Sequence, residues 1–280
     1  MRKLILGFAA LTMLISSCKK KDKKETVTPA NDWYITTSIA TQVRDGIVTK
    51  NQDSVLYTYN ADKTLHTAEE FSVDNGLTYY DLLTFVYDNG KLVKLNRQNG
   101  RVESPATILE FRYAGNLLTR SYAPGQATTN YDSLVYENNK VVALVKVRSG
   151  KIDKILEYTW DGNSVATEKQ FNWDVANHLK VLSLSHQYGY NDVANARKTL
   201  AFPYYLLGDQ GGSAHLLSAR EITNRSTINT LGAETDFISY TRDRDNQQLT
   251  VADTSWYKAT AGGTKTAGYI TRYKYTDLSK

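Results

Sequence analysis

Apolar and polar residues alternate along most of this chain with the two-residue period of β-strands. Leu83, Phe85 and Tyr87 share one face of an extended segment, which is the pattern of a half-buried strand. The polar corner 88–90, Asp-Asn-Gly, follows at once, and these residues tolerate the positive φ angles that tight hairpin turns require. A second alternating run begins at Lys91. The segment therefore predicts a β-hairpin.

The same pattern of an apolar residue and two aromatic residues at alternate positions, followed by a polar turn, recurs along the chain. Its final aromatic residues are Tyr59, Tyr87, Tyr113, Tyr136 and Trp160, spaced 23 to 28 residues apart. That interval fits one hairpin plus its return connection. Weaker copies occupy 185–192, 237–251 and 269–277, and a pair of strands, 33–40 and 47–50, precedes them. We predict about six to eight consecutive hairpins.

Neighbouring hairpins of this kind form an antiparallel meander. The outward positions are mostly polar, as at Thr58, Glu110 and Glu157, so each strand buries one face. Strand twist accumulates across many strands and makes such a sheet curl. We predict an all-β fold of repeated hairpins, forming one large curled meander sheet or a partly open barrel with the aromatic column inside. A short non-strand insertion is expected near 200–222, within a single domain spanning 33–280.

The first residues have the three-part layout of a secretory signal peptide. Arg2 and Lys3 precede an apolar core, 4–15, and two serines then lead to the single cysteine, Cys18. The apolar core is too short to span a bilayer as a stable helix, which needs about 20 residues. We predict that residues 1–17 are cleaved.

The junction Ile15-Ser16-Ser17-Cys18 resembles the lipobox of bacterial lipoprotein precursors. The resemblance implies that Cys18 is the site of lipid attachment and becomes the first residue of the mature chain. Two or three acyl chains give stable membrane attachment at about 0.8 kcal/mol per buried CH₂. Residues 18–32 then form a flexible, Lys-rich tether.

The positive charge of the protein lies mostly outside the predicted domain. Of 34 basic and 29 acidic residues, seven basic and three acidic ones precede residue 33, which leaves 27 and 26 and a net charge of +1. A nucleic-acid-binding protein needs a basic footprint on its folded surface. We therefore predict no nucleic-acid partner, and we interpret the lysine run as a solvated spacer near anionic head groups.

The hairpin units, read as aromatic-[DN]-x-[NG]-[GK]-[KL], resemble the YD-type repeats of bacterial cell-surface proteins. Together with the lipobox and the tether they are similar to a Bacteroidetes lipoprotein family of unknown function with a porin-like β fold. In that family a non-strand insertion interrupts the late repeats, and 202–207 followed by 215–222 looks similar to it. The resemblance implies the fold and brings no catalytic residues.

Candidate chemistry is sparse. The four histidines show no metal-ligand spacing, and after lipidation of Cys18 no thiolate remains, so we predict no metal and no cofactor. The segment 211–215 fails the nucleophile-elbow pattern because His215 stands where the second glycine belongs. The abundant carboxylates leave an unrecognised hydrolase open as an alternative. We predict that the protein is not an enzyme.

Aromatic residues outside the repeat are candidates for ligand binding, since flat rings at a surface can stack on ligands. These candidates are Tyr79, Tyr80, Trp173, Tyr204, Tyr205 and Trp256.

Three functions follow for a protein held at the outer membrane by a lipid, on either its periplasmic or its outer face. The first is a non-enzymatic binding or scaffolding module for a glycan or peptide. The second is a periplasmic carrier of a lipid or other apolar ligand, which requires an aromatic-lined cavity inside an open barrel. The third is the hydrolase.

Overall fold

The computed structural model describes residues 33–44, 47–74, 77–100, 104–200, 214–245, 249–265 and 267–278. Sixteen antiparallel strands follow one another in chain order and close into a barrel, in which β1 pairs with β16. The strands are β1 (Trp33–Arg44), β2 (Ile47–Tyr59), β3 (Leu65–Asp74), β4 (Leu77–Asp88), β5 (Lys91–Asn99), β6 (Ala106–Ala114), β7 (Leu117–Tyr122), β8 (Tyr131–Glu137), β9 (Lys140–Arg148), β10 (Lys151–Asp161), β11 (Ser164–Asp174), β12 (Leu179–Ala194), β13 (Arg220–Asn229), β14 (Glu234–Arg244), β15 (Thr250–Lys258) and β16 (Ala267–Asp277).

The predicted all-β fold is confirmed, and the sheet closes completely. The weaker sequence copies form β12, β14 and β16 with their partners, so the barrel consists of eight repeated strand pairs. The predicted insertion lies between β12 and β13. Its described parts are a 3-10 turn (Ala196–Thr199) and a four-residue helix, α1 (Ala214–Leu217), while 220–222 begin β13. The described part of the chain contains no helix long and apolar enough to cross a membrane.

One end of the barrel carries the short turns that the sequence pattern predicts, and we call it the mouth. Asn89 and Gly90 both have positive φ, of 49° and 73°, and Asn138 and Asn139 have φ of 49° and 61°. Two successive positive φ angles are the geometry of a tight hairpin turn that follows the twist of its strands. The Asn-Gly and Asn-Asn pairs thereby fix where each strand reverses.

A β-bulge stands beside nearly every mouth turn and places two core residues three positions apart. In β5, Tyr87 pairs with Leu92 while Val86 pairs with Lys94, so Val93 is skipped. Leu92 and Leu95 consequently both point inward, and both are buried. The same offset recurs beside Tyr59, Tyr113, Tyr136, Trp160, Tyr190 and Tyr275.

The final aromatic residue of the repeat ties neighbouring strand pairs together at the mouth. The Tyr59 hydroxyl donates to the Ile35 carbonyl at 2.6 Å, and the Tyr275 hydroxyl donates to the Thr250 carbonyl at 2.8 Å. The Trp160 indole N–H reaches the Val141 carbonyl at 2.9 Å, and the Tyr190 hydroxyl reaches that of Val165. Each of these four bonds crosses from one strand pair to the preceding one, so the four aromatic residues join neighbouring strand pairs at the mouth.

The barrel interior is filled by side chains over much of its length. Leu83, Leu95, Leu144 and Leu156 are at most 2% exposed although they lie on the inner face of the sheet. Sixteen-stranded porins enclose an aqueous channel. Here the inner faces pack on one another in a single apolar cluster that draws on strands from β1 to β13.

We expect Tyr59→Phe to lower the free energy of unfolding by about 1 kcal/mol, because it removes the part-buried hydrogen bond to the Ile35 carbonyl. The matched control is Tyr79→Phe, whose ring is 50% exposed and whose loss of a hydroxyl should cost less than about 0.5 kcal/mol. Urea unfolding measures both. Equal stability of the two variants would contradict a stabilising role of the Tyr59 hydrogen bond.

Candidate functional site

A cavity of about 660 Å³ opens at the mouth, between the hairpin turns and α1. Its wall combines three rings of the repeat, a set of aliphatic side chains and a rim of amides. The lining residues used below are Tyr113, Tyr136, Trp160, Leu118, Val141, Leu216, Leu217, Asn116, Asn138, Asn139, Asn163, Lys140 and Leu117. The volume lies within the roughly 300 to 1,000 Å³ typical of small-molecule sites.

The cavity is apolar at its base and polar at its edge. Leu118, Val141, Leu216 and Leu217 are buried, between 2% and 8% exposed. The rings stand above them half-buried, and the four asparagines of the lining occupy the exposed turns. This gradient suits a ligand with an apolar body and a polar end.

The tyrosine rings of the cavity carry no charge near neutral pH. Burial raises the pKa of Tyr113, and burial together with the neighbouring Tyr113 raises the pKa of Tyr136 to about 12. Both phenols therefore stay protonated, and their rings act as apolar surfaces with a polar tip.

A lysine at the edge of the cavity bridges two hairpin turns. The Lys140 ammonium donates to the Gly162 carbonyl at 2.5 Å and lies 5.4 Å from the centre of the Trp160 ring. Lys91 repeats the arrangement with the Gly115 carbonyl at 2.7 Å and the Tyr113 ring at 5.8 Å. These two lysines, each of which follows a mouth turn, thus place positive charge above aromatic rings at the mouth.

The insertion is fastened to the barrel beside the cavity through Ser218. This residue is fully buried, and its hydroxyl accepts the Val165 N–H at 3.0 Å. The Asn195 side chain donates to the Ser218 carbonyl at 3.0 Å, and the Ala219 N–H donates to the Asn163 carbonyl at 2.9 Å. These bonds hold Leu216 and Leu217 of α1 in the cavity wall.

A buried polar network replaces the apolar core in the late strands. Glu168 and Arg225 occupy the inward positions that Leu95 and Leu144 occupy in earlier pairs. His186 lies between them, with its Nδ1 3.1 Å from the Thr227 hydroxyl.

The hydrogen-bond directions in this network fit a neutral imidazole. His186 Nδ1–H donates to Thr227, and the Thr227 hydroxyl donates to Asp236 at 3.3 Å. Arg225 also binds Asp236, at 2.9 Å. On the other side the Gln170 amide lies 3.4 Å from His186 Nε2 and donates to Glu168 at 3.0 Å.

A second polar cluster lies beside the 3-10 turn. Arg242 contacts both Glu221 and Asp253 at 3.5 Å, and Arg197 binds Asp253 at 2.9 Å. Arg244 binds Glu221 at 2.6 Å. The adjoining cavity holds only about 20 Å³, which is room for about one water molecule.

The structure does not bring the sequence-predicted ligand aromatics together. Tyr79 and Tyr80 lie on β4, Trp173 on β11 and Trp256 on β15, several strands apart around the barrel. Tyr80 packs on Phe71 with ring centres 5.2 Å apart. Tyr204 and Tyr205, like Cys18, lie outside the described residues.

The sequence pattern predicts that the final aromatic residues of the repeat lie in the core, and the structure buries them only in part. Tyr57, Phe85, Phe111 and Tyr158, the middle aromatics of the repeat, are buried. The final aromatics are half-buried because each stands one residue before a turn and so reaches the end of the barrel. That position in the repeat is the signal that distinguishes them. No cluster of three or more metal-ligating side chains occurs among the described residues.

The fold is similar to that of a porin-like protein from Bacteroides uniformis, with 10% identity and a TM-score of 0.56 over 86% of this chain and 98% of that one. A porin-like protein from Bacteroides vulgatus matches with 13% identity and a TM-score of 0.40 over 87% and 98% of the two chains. A LolA superfamily protein from Nitrosomonas europaea matches with 9% identity and a TM-score of 0.31 over 89% and 87%.

The first of these likenesses establishes the porin-like fold alone, and the two lower TM-scores carry no argument about this chain. A scan against protein-family models and a search of curated proteins find no match. The fold and the site together define a closed, porin-like all-β barrel with a filled interior and an apolar cavity at one mouth.

We expect the stability of the protein to fall as the pH drops from about 6.5 to about 4 through the buried His186. Burial, aided by the Arg225 charge and opposed by Asp236, lowers the pKa of His186 from 6.5 to about 4. Over that window the His186 imidazole becomes protonated in the unfolded chain but stays neutral in the folded protein. This difference lowers the free energy of unfolding as the pH drops.

His186→Gln should flatten this part of the pH dependence, whereas His66→Gln, which alters an exposed ring, should preserve it. Urea unfolding across the window measures the effect. An unchanged slope in His186→Gln would contradict a neutral buried ring.

Proposed function

We propose that this protein is a lipid-anchored, non-enzymatic envelope protein that binds an apolar or amphipathic small molecule in the mouth cavity. The observation that carries the proposal is the cavity of about 660 Å³ with its buried aliphatic base and aromatic wall. Each CH₂ group that a ligand buries there contributes about 0.8 kcal/mol.

The cavity favours an apolar ligand over a glycan or peptide. Glycan binding on a platform needs exposed, coplanar rings, and the described candidates on β4, β11 and β15 are spread around the barrel. The repeat instead directs Tyr113, Tyr136 and Trp160 into the wall of one cavity. An aromatic-lined interior is the feature that a carrier of lipids or other apolar molecules requires.

A binding role fits the barrel better than a pore. The core leucines fill the interior, and the outer face carries polar pairs such as Thr58 with Thr67 at 2.6 Å and Thr159 with Thr167 at 2.7 Å. Transmembrane barrels instead present an apolar band to the lipid on every strand.

The carboxylates support a non-enzymatic role. Glu221 and Asp253 flank Arg242, but both are engaged by arginines and adjoin a cavity of only about 20 Å³. A glycosidase pair must leave room for a sugar ring and, in inverting enzymes, for a water molecule. This cluster offers no space for a sugar ring.

The sequence supports the proposed location. The signal peptide, the lipobox cysteine Cys18 and the Lys-rich tether 18–32 support export and attachment to the outer membrane. The ligand site then stands close to a bilayer, which is a source of apolar molecules.

An apolar fluorescent probe should bind the Cys18→Ala chain with a fluorescence increase, and Leu117→Asp should weaken that binding about tenfold or more. The variant places a charge in the cavity wall, where desolvation is costly. Thr119→Asp is the matched control, since it adds the same charge on the same strand outside the cavity lining. Equal affinities of the two variants, at equal unfolding midpoints, would overturn the cavity as the binding site.

Cys18→Ala should abolish incorporation of radioactive palmitate in cells and release the protein from membranes, because it removes the acylated thiol. Ser17→Ala keeps a small residue before the cysteine and should retain both properties. Continued labelling of the Cys18→Ala chain would contradict the lipid anchor.

A further inference from the structure

The chain enters the barrel at the mouth. β1 begins at Trp33, which pairs with Asp277 at the end of β16. Because the strands are antiparallel, this is the end at which β6, β8 and β10 finish and at which the cavity opens. The segment leading back to Cys18 therefore leaves from the rim that carries the cavity.

The distance from the anchor to this rim is short. Fourteen residues, 19–32, separate Cys18 from Trp33, and a fully extended chain of that length spans at most about 50 Å. A random coil of fourteen residues averages roughly 20 Å from end to end. A nine-residue strand such as β9 is already about 30 Å long, so presenting the opposite rim to the membrane would require the tether to pass along the whole barrel wall.

Resting on the function proposed above, we infer that the mouth faces the membrane to which the chain is anchored and that the cavity takes an acyl chain of a membrane lipid. The acyl chain would lie against Tyr136, Trp160 and Leu216. The head group would meet the exposed amides and the Lys140 ammonium at the edge.

The chemistry of the rim agrees with this partner. Aromatic rings with a polar tip and lysines with a long apolar stem are suited to the boundary between head groups and hydrocarbon. Trp160 with Lys140, and Tyr113 with Lys91, form two such pairs beside the cavity. An anionic lipid head group would add an electrostatic attraction to these lysines.

The opposite rim is the competing surface. Its hairpin tips expose Ile47, Leu77, Leu179 and Leu231, at 71%, 56%, 59% and 90%. In the orientation we infer, these side chains point away from the anchoring membrane. The two possible orientations therefore differ in which rim lies next to the bilayer.

The orientation is tested by energy transfer from single labels on the lipidated protein in vesicles of phosphatidylethanolamine and phosphatidylglycerol that carry an acceptor on their head groups. Cys18 is consumed by the lipid, so Glu137→Cys at the mouth and Lys151→Cys at the opposite rim each introduce one reactive thiol; both residues are exposed. We expect higher transfer efficiency from position 137. Equal efficiencies, or a higher value from position 151, would overturn the orientation.

The entry of lipid is tested separately by contact quenching of tryptophan with vesicles whose acyl chains are brominated. Trp160 lines the cavity, whereas Trp173 does not. Quenching should be largely lost in Trp160→Phe and retained in Trp173→Phe, and the reverse result would overturn lipid entry. If the soluble Cys18→Ala chain binds the apolar probe but Trp160 is not quenched, only this inference fails; absence of probe binding would instead defeat the proposed function.

Discussion

This barrel depends on a recurring hydrogen bond from the final aromatic residue of a repeat to the main chain of the preceding strand pair. Tyr59, Trp160, Tyr190 and Tyr275 all make it, although they lie far apart in the sequence. The bond satisfies a carbonyl at the strand end and fixes the ring at the mouth. Trp160, which joins two strand pairs in this way, also lines the cavity.

The repeat and its period predict the hairpins and the curled sheet, because alternation and turn residues are local signals. Closure is not local, since it depends on Trp33 pairing with Asp277 across almost the whole chain. The sequence pattern does not predict the mouth cavity, for a related reason. Tyr113 and Trp160 match the core pattern in sequence, and only the bulge and the adjoining helix α1 show that they border open space.

The late strands depart from the repeat where the structure needs polar groups. Arg244 takes the place of the final aromatic residue, and Glu168, Arg225 and Asp253 take the inward position that Leu95 and Leu144 occupy in earlier pairs. Their charges are paired or hydrogen-bonded, as burial demands. The barrel interior is thus apolar beside the cavity and polar around His186 and Arg242, and the earlier strands also hold the buried ion pair of Asp132 with Lys146.

Binding of an apolar ligand in the mouth cavity is tested by a crystal structure of the protein soaked with a brominated fatty acid, because bromine gives an anomalous signal at its own position. We expect a bromine peak at the mouth, between Trp160 and Leu217. A peak on the outer face of the barrel or among the exposed tips of the opposite rim, with an empty mouth, would contradict it.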